Sequence, residues 1–423
     1  MNWSLLIGYK ALSDLFGRLS VFAVILLAAR LLPAEQFGVF SLAWAAGWIV
    51  AVASDFGLQI SLTREVARRP SRAGETFRRL LKIRQLLCAA LFGAALVVVL
   101  ATPWPSWKGP FLLVILSQIL NSLVDFHNHL FRGFSRSDLE SSLNLASRAL
   151  TLLLAVALLA GSPTLTALSL ALTLGSTSAL LAAHYLSRRL LVQRDPGRSR
   201  PGRAGDGAGT PLRRLHREAL PIGLGILLSS LYFRADLFFI EAWRGSESVA
   251  HYNAVFKLID ALRLLPAAVM AVLFPSLCRP GATRLLLVSV FGVLAAGLLL
   301  TGAGAWQATS IIELCYGRSY LVATRAFQIL LFSLPLLFVN FILTHRLIGM
   351  NRQRAFAILC ACGLLLSLGL NLLLVPRYGN EGAALSCLLR EAALTAACVV
   401  LLTATRPGET GSSRAVGSES RPS

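Results

Sequence analysis

PIGLGILLSSLYFRADLFFIEAW (221–243) is apolar for long enough to cross a bilayer, yet it carries Arg234 and Asp236 inside the run. Roughly 18 to 20 predominantly apolar residues span the hydrocarbon core as a helix. An ionised side chain at the centre of such a helix costs about 2.5–3.5 kcal/mol on insertion scales. The length of the run speaks for a membrane-spanning chain, and the two charges demand a reason for being there.

The rest of the chain repeats the first half of that reading. Of its 423 residues 56% are hydrophobic and 14% charged, and the mean hydropathy is +0.68. A soluble helical protein needs a polar face on each surface helix, and most of these segments have none. The pattern predicts an all-α integral membrane protein of about twelve transmembrane helices. The spans fall near 5–30, 37–62, 83–101, 110–131, 143–160, 165–187, 219–242, 249–277, 284–305, 323–347, 355–375 and 381–403. The N-terminus MNWSLLIGYK lacks a basic n-region and a cleavage site, so it reads as a retained first helix.

The net charge of +20 arises from 40 Lys and Arg, of which only Lys10, Lys82, Lys108 and Lys257 are lysines. Nucleic-acid binding would need these gathered on a soluble face with stacking aromatics. They lie instead in short loops between apolar helices. One alternate set of loops carries 24 basic residues and the other six. The positive-inside rule makes the first set cytoplasmic and puts both termini there, in a multi-pass membrane protein. The Trp-rich turn TPWPSWKGP (102–110) then falls at the outer interface.

The Gly-, Pro- and Arg-rich segment 188–218 reads as a flexible cytoplasmic linker. It divides an N-terminal six-helix lobe (1–187) from a C-terminal one (219–403), and a polar, disordered cytoplasmic tail is expected over 404–423. Seven cysteines form no disulfide or redox framework, and Cys360 and Cys362 are spaced for neither CxxC nor zinc. The halves echo each other. EQFGVFSLA (35–43) and ESVAHYNAV (247–255) align at an offset of 212, and RGFSR (132–136) and IGMNR (348–352) at 216. Six helices per half keeps both halves in one orientation, so the repeat implies a pseudo-twofold along the membrane normal with a central cavity between the lobes.

Several stretches carry a resemblance: AARLLPAEQFGVFSLAWA (28–45), DFGLQISLTRE (55–65), YFRADLFFI (232–240), HYNAVFKLIDALRLLPAAVMAVLFPSL (251–277), IIELCYGRSY (311–320) and NLLLVPRYGNEGAALS (371–386). In order and spacing the chain resembles the polysaccharide exporters of the multidrug/oligosaccharidyl-lipid/polysaccharide (MOP) superfamily, the group containing the O-antigen flippases. The resemblance implies two lobes that rock between inward- and outward-open states. It also implies an undecaprenyl (isoprenoid) diphosphate-linked oligosaccharide as substrate, with the first, second, seventh and eighth helices at the cavity.

Ionisable residues inside spans are candidate functional groups. Lys10, Asp14 and Arg18 follow each other at i, i+4, i+8 on the first helix. Lys257, Asp260 and Arg263 cover an arc of about 120° on the eighth, at about 100° per residue. Arg234 and Asp236 point about 200° apart on an ideal helix. A further polar stripe runs along the fourth span through Gln118, Asn121, Asp125, His129 and Arg132. Two readings compete. Neighbouring charges such as Asp14 with Arg18, or Asp260 with Arg263, can neutralise each other and lock helices together. Alternatively Arg18, Arg234, Lys257, Arg263 and Lys10 form a cationic surface for the diphosphate, outnumbering Asp14, Asp236 and Asp260. Arginine forks match phosphate oxygens bidentately. The carboxylates Asp14, Asp55, Asp236, Asp260 and Asp125 are candidates for charge pairing or for carrying a coupling proton. His127, His184 and His345 read as packing residues, and Pro221, Pro266, Pro275 and Pro335 as kinks.

The expected function is therefore a lipid-linked oligosaccharide flippase working by alternating access for surface polysaccharide biosynthesis. It needs no cofactor or metal, with H⁺ or Na⁺ coupling open. Membrane lipids surround it, glycan polymerase or ligase enzymes are candidate partners, and the fused lobes favour a monomer. A drug or cation antiporter of the same fold needs an acidic cavity instead. A membrane glycan polymerase or transferase needs a large extramembrane loop, and the longest outer one (306–322) holds only Glu313 and Arg318 as charged groups. No GxxxxGK[ST] phosphate loop is present.

Overall fold

The computed structural model describes residues 3–101, 107–194, 223–277, 283–350 and 352–404. Among these there is no strand, as a chain in lipid requires when every backbone group must be satisfied internally. The N-terminal half consists of α1 (Trp3–Leu31), α2 (Ala34–Ala53), α3 (Leu58–Arg68), α4 (Ala73–Ala101), α5 (Lys108–Gly133), α6 (Ser137–Gly161) and α7 (Leu165–Arg194). The C-terminal half has α8 (223–232), α9 (Ala235–Arg244), α10 (Ser246–Leu262), α11 (Leu264–Leu277), α12 (Thr283–Trp306), α13 (Ala308–Tyr316), α14 (Thr324–Gly349) and α15 (Gln353–Thr403). Ten of the described helical stretches are long and apolar enough to cross a membrane. The 51-residue α15 is two spans joined at a break, and α10 with α11 forms one interrupted span. The twelve-helix, two-lobe architecture follows.

Two expected boundaries move. The second span was expected to run on to 62, but α2 ends at Ala53, and Phe56 and Gly57 take left-handed φ values of 38° and 79° before α3 begins. The cause is local: the Asp55 carboxylate accepts from the amides of Gly57 and Gln59 and so starts a new helix. α3 is amphipathic rather than a continuation of the span, burying Leu58, Leu62 and Val66. At the other boundary α7 continues to Arg194, seven residues past the lobe boundary expected at 187. The remainder of the 188–218 linker, and the 404–423 tail beyond Ala404, lie outside the described residues.

The halves share one helix-pairing scheme. α1 packs on α6, α2 on α5, α4 on α5 and α5 on α7; correspondingly α9 packs on α15, α10 on α14, α12 on α14 and α14 on α15. The third helix of each half, α4 and α12, stands at the periphery with Leu86, Val97 and Val98 or Leu287, Phe291 and Leu299 exposed, as lipid-facing helices should. Between the lobes, Asn253 Nδ2 of α10 donates to Ser41 Oγ of α2 at 2.8 Å. These two positions are 212 apart, the offset read from the sequence repeat. The pseudo-twofold therefore passes between α2 and α10, through a contact of each position with its own counterpart.

The lobes meet at the end of the bundle where basic residues are sparse. There Arg30 donates to the carbonyls of Cys315, at 2.7 Å, and of Leu314, and Tyr320 Oη donates to Ala29 O at 3.0 Å. The starts of α2 and α10 touch so closely that a Cβ at Gly38 would fall 1.8 Å from the carbonyl oxygen of Ser246. Toward the end rich in basic loops, a cavity of about 520 Å³ opens instead.

Candidate functional site

The cavity is lined mainly by the N-terminal half. Trp44, Trp48, Ala51 and Asp55 come from α2 and its end, Arg84 from α4, Arg148 from α6, and Gly223 and Ile226 from α8. The polar stripe predicted along the fourth span is one face of α5, and Gln118, Asn121, Asp125 and His129 all reach this wall. Asp55 is bonded to Arg84, whose side chain is 1% exposed. Asn121 donates to Ser117 O at 2.9 Å and Ser176 Oγ at 2.8 Å, and His129 Nδ1 bonds Thr63 Oγ1 at 2.9 Å. Asp125 is exposed in the cavity. The last member of the stripe, Arg132, turns away to Glu140.

A second polar group sits in the C-terminal half, on α8–α11. One carboxylate, Asp260, is shared by three cations: Arg263 Nη1 at 3.2 Å, Arg234 Nη2 at 3.5 Å and Lys257 Nζ at 3.7 Å. Arg234 is brought in from the break between α8 and α9, where the chain leaves helical geometry. That break also releases Arg234 and Asp236 from the 200° separation of an ideal helix. Both reach α10: Asp236 accepts a 2.6 Å hydrogen bond from Tyr252 Oη and another from Leu237 N. Aromatic faces cradle the cations. The Arg263 guanidinium lies 4.3 Å from the Phe233 ring centroid, and that of Arg234 lies 5.2 Å from Phe256 and 5.9 Å from Trp48. Trp48 also lines the cavity, so it joins the cluster to the cavity wall.

Of the five cations singled out from the sequence, the structure gathers three. Lys10 is held away from the cavity, 3.1 Å from Asp14 and 2.8 Å from the fully buried Glu140, which Arg132 also grips at 2.6 Å. Arg18 is exposed on α1, has no ion pair among the described residues and does not line the cavity. His127 bonds Ser187 Oγ at 2.7 Å and His345 bonds Phe341 O at 2.7 Å, as packing residues do. Sequence reasoning missed Arg84 and Glu140, which stood at expected span edges, and Arg148, inside the expected fifth span. It also missed Arg390 and Glu391, a charged pair inside the last span that its Arg-Glu dipeptide announced. No group of three or more metal-ligating side chains occurs among the described residues.

A family model described as "Polysaccharide biosynthesis protein" matches residues 6–279, well over half of the chain. The chain belongs to that family. An uncharacterized membrane protein of Methanocaldococcus jannaschii is 28% identical over 183 residues, which is 41% of this chain and 36% of that relative's length. The fold is similar to an inward-facing multidrug resistance MATE family transporter of the MOP superfamily, with a TM-score of 0.69, 14% identity and 92% and 95% of the two chains covered. An outward-facing MATE structure matches at TM-score 0.62, with 14% identity and 94% of each chain covered. A MOP superfamily transporter from Pyrococcus furiosus, described as having a binding pocket of reverse polarity, matches at 0.59 with 16% identity, covering 94% of this chain and 93% of that one. Together these findings give a polysaccharide biosynthesis family member with many helices of membrane-spanning length and the fold of the MATE transporters.

Proposed function

We propose that this family member flips an isoprenoid diphosphate-linked oligosaccharide across the bacterial inner membrane, from the cytoplasmic to the outer leaflet, for surface polysaccharide assembly. The observation that carries the reading is the cluster at Asp260. One carboxylate compensates three cations, which leaves a formal surplus of two positive charges beside the cavity. Removing cations from water without full compensation is costly, and an anionic diphosphate supplies the missing counter-charge through charge-assisted bonds. With the basic loops on the cytoplasmic side, both termini are cytoplasmic and the described state is open inward, ready to receive a precursor made in the cytoplasm. Asp55, on the cavity wall and bonded to Arg84, is our candidate for coupling transport to H⁺ or Na⁺, with Asp14 and Asp260 as the others. Monomeric action beside separate polymerase or ligase enzymes completes the reading.

The multidrug antiporter reading has its own support in the fold likeness and in the cavity wall, where Asp125 and Asp55 offer negative charge. The two separate in a strain lacking the chain, complemented with Arg234→Ala, Lys257→Ala and Arg263→Ala and their Arg–Lys exchanges. The flippase reading expects membrane-inserted Ala variants to accumulate lipid-linked precursor on the cytoplasmic side, with partial rescue by the exchanges. Normal surface glycan in the deletion strain, with altered sensitivity to cationic drugs, would transfer the assignment to the antiporter.

A further inference from the structure

The cavity wall built by α2 and α5 has a chemistry unlike that of the Asp260 cluster. Its ionic side chains Asp55, Asp125, Arg84 and Arg148 balance formally. Two buried donors on it have no hydrogen-bond partner among the described residues. They are Nε2 of Gln118, a residue 8% exposed, and Nε of Arg84, a residue 1% exposed. Leaving a buried donor unmet is unfavourable, so this wall is arranged for acceptors that arrive from the cavity. Asp125 offers the complementary acceptor: it is exposed at the cavity, where the charges of Arg148 and Arg84 act on its carboxylate. Trp44 and Trp48 add aromatic surface to the same wall.

We infer that the Gln118–Asp125–Trp48 wall is a sugar subsite, holding the first residues of the glycan while the Asp260 cluster holds the diphosphate; the inference rests on the flippase reading. A pyranose presents hydroxyls that both donate and accept, an apolar CH face and no net charge, and the wall answers each. A phosphate would meet the Asp125 carboxylate, and an organic cation would meet Arg84 and Arg148. The volume of about 520 Å³ is that of a small-ligand site. Adjacency agrees as well. Trp48 belongs to the sugar wall while Arg234 stands over its ring, and the first sugar of the substrate is bonded directly to the diphosphate.

The test uses the full chain in nanodiscs and two probes: lipid-linked oligosaccharide extracted from cells lacking the chain, and unglycosylated isoprenyl diphosphate. The variants are Gln118→Leu and the near-isosteric Asp125→Asn, and the readout is the affinity of each probe. The wild type is expected to bind the glycosylated probe about tenfold more tightly, the ratio that about 1.4 kcal/mol of sugar contacts would give. Each variant should remove most of that ratio while affinity for bare isoprenyl diphosphate, which certifies the fold, stays within about twofold. A glycan advantage that survives both variants, or its absence in the wild type while the bare probe still binds, overturns the sugar subsite and leaves the diphosphate site standing. If neither probe binds and organic cations do, the flippase reading falls and takes the subsite with it.

Discussion

Arg390 shows what a buried charge means at the scale of one residue. It is 1% exposed and its neighbour Glu391 2%, in the core of the C-terminal lobe. Its guanidinium donates to Glu391 Oε1 at 3.1 Å and to Tyr232 O at 3.0 Å, and Glu391 Oε2 accepts from Asn340 Nδ2 at 2.8 Å. Here pairing and hydrogen bonding account for both charges, so the structural reading that competes with a functional one prevails. Removing one partner of a buried pair typically costs about 3–5 kcal/mol, whereas replacing both with apolar groups is often neutral. Arg390→Met alone is expected to lower the melting temperature in detergent sharply, and Arg390→Met with Glu391→Leu to recover most of the loss. Equal destabilisation by the single and double variants would mean that packing, not charge, holds this site. The Asp260 cluster differs because its carboxylate is outnumbered, and that difference separates a candidate binding group from a structural one.

At the scale of elements, the breaks are placed by single residues. α15 changes direction at Gly379, whose φ of 56° and ψ of −129° belong to a region an L side chain adopts only under strain. Arg244 donates to the carbonyl of Pro376 at 2.9 Å, answering one of the acceptors that the turn frees. Gly379→Ala should therefore cost roughly 1–3 kcal/mol. Gly369→Ala, in the same helix with nothing within 4 Å of a new Cβ, should be neutral or stabilising by up to about 1 kcal/mol. Heating the two variants in detergent and following the monodisperse fraction by size exclusion compares them directly, and equal melting would remove the role given to the turn. The spans themselves were legible because an apolar run of membrane length has few alternatives. The Lys257–Asp260–Arg263 trio was legible too, since one helix fixes its spacing. What was not legible joins distant segments. Lys10 finds Glu140, Arg84 finds Asp55, and Arg234 comes within reach of Asp260 only because the helix breaks just before it. No periodicity along one helix encodes such partners. The Asp55 break was hidden by the same limit, because an apolar run can be broken by a side chain that caps its successor.

At the scale of the whole molecule, the alternating access proposed above requires that the closed end open, and the geometry says where. Ser41 and Asn253 meet at 2.8 Å across the pseudo-twofold, and Gly38 lies against the Ser246 carbonyl. Both contacts join the lobes through α2 and α10, so a rocking motion must separate them. Two opposite perturbations follow. Ser41→Cys with Asn253→Cys, in a chain freed of its seven native cysteines, should be bridged by a short thiosulfonate linker that stops export until it is reduced. Gly38→Leu should disfavour the closed end, because no side chain fits against Ser246, and so populate the state open at the sparse-charge end. Spin-label distances between α2 and α10 at that end would lengthen in Gly38→Leu and stay short in the bridged protein. A bridged protein that still exports at the unbridged rate would show that α2 and α10 move as one body. The transport path would then lie within a lobe rather than between the two, and the Asp260 cluster and the α5 wall, which come from different halves and are joined through Trp48, would cease to be one site.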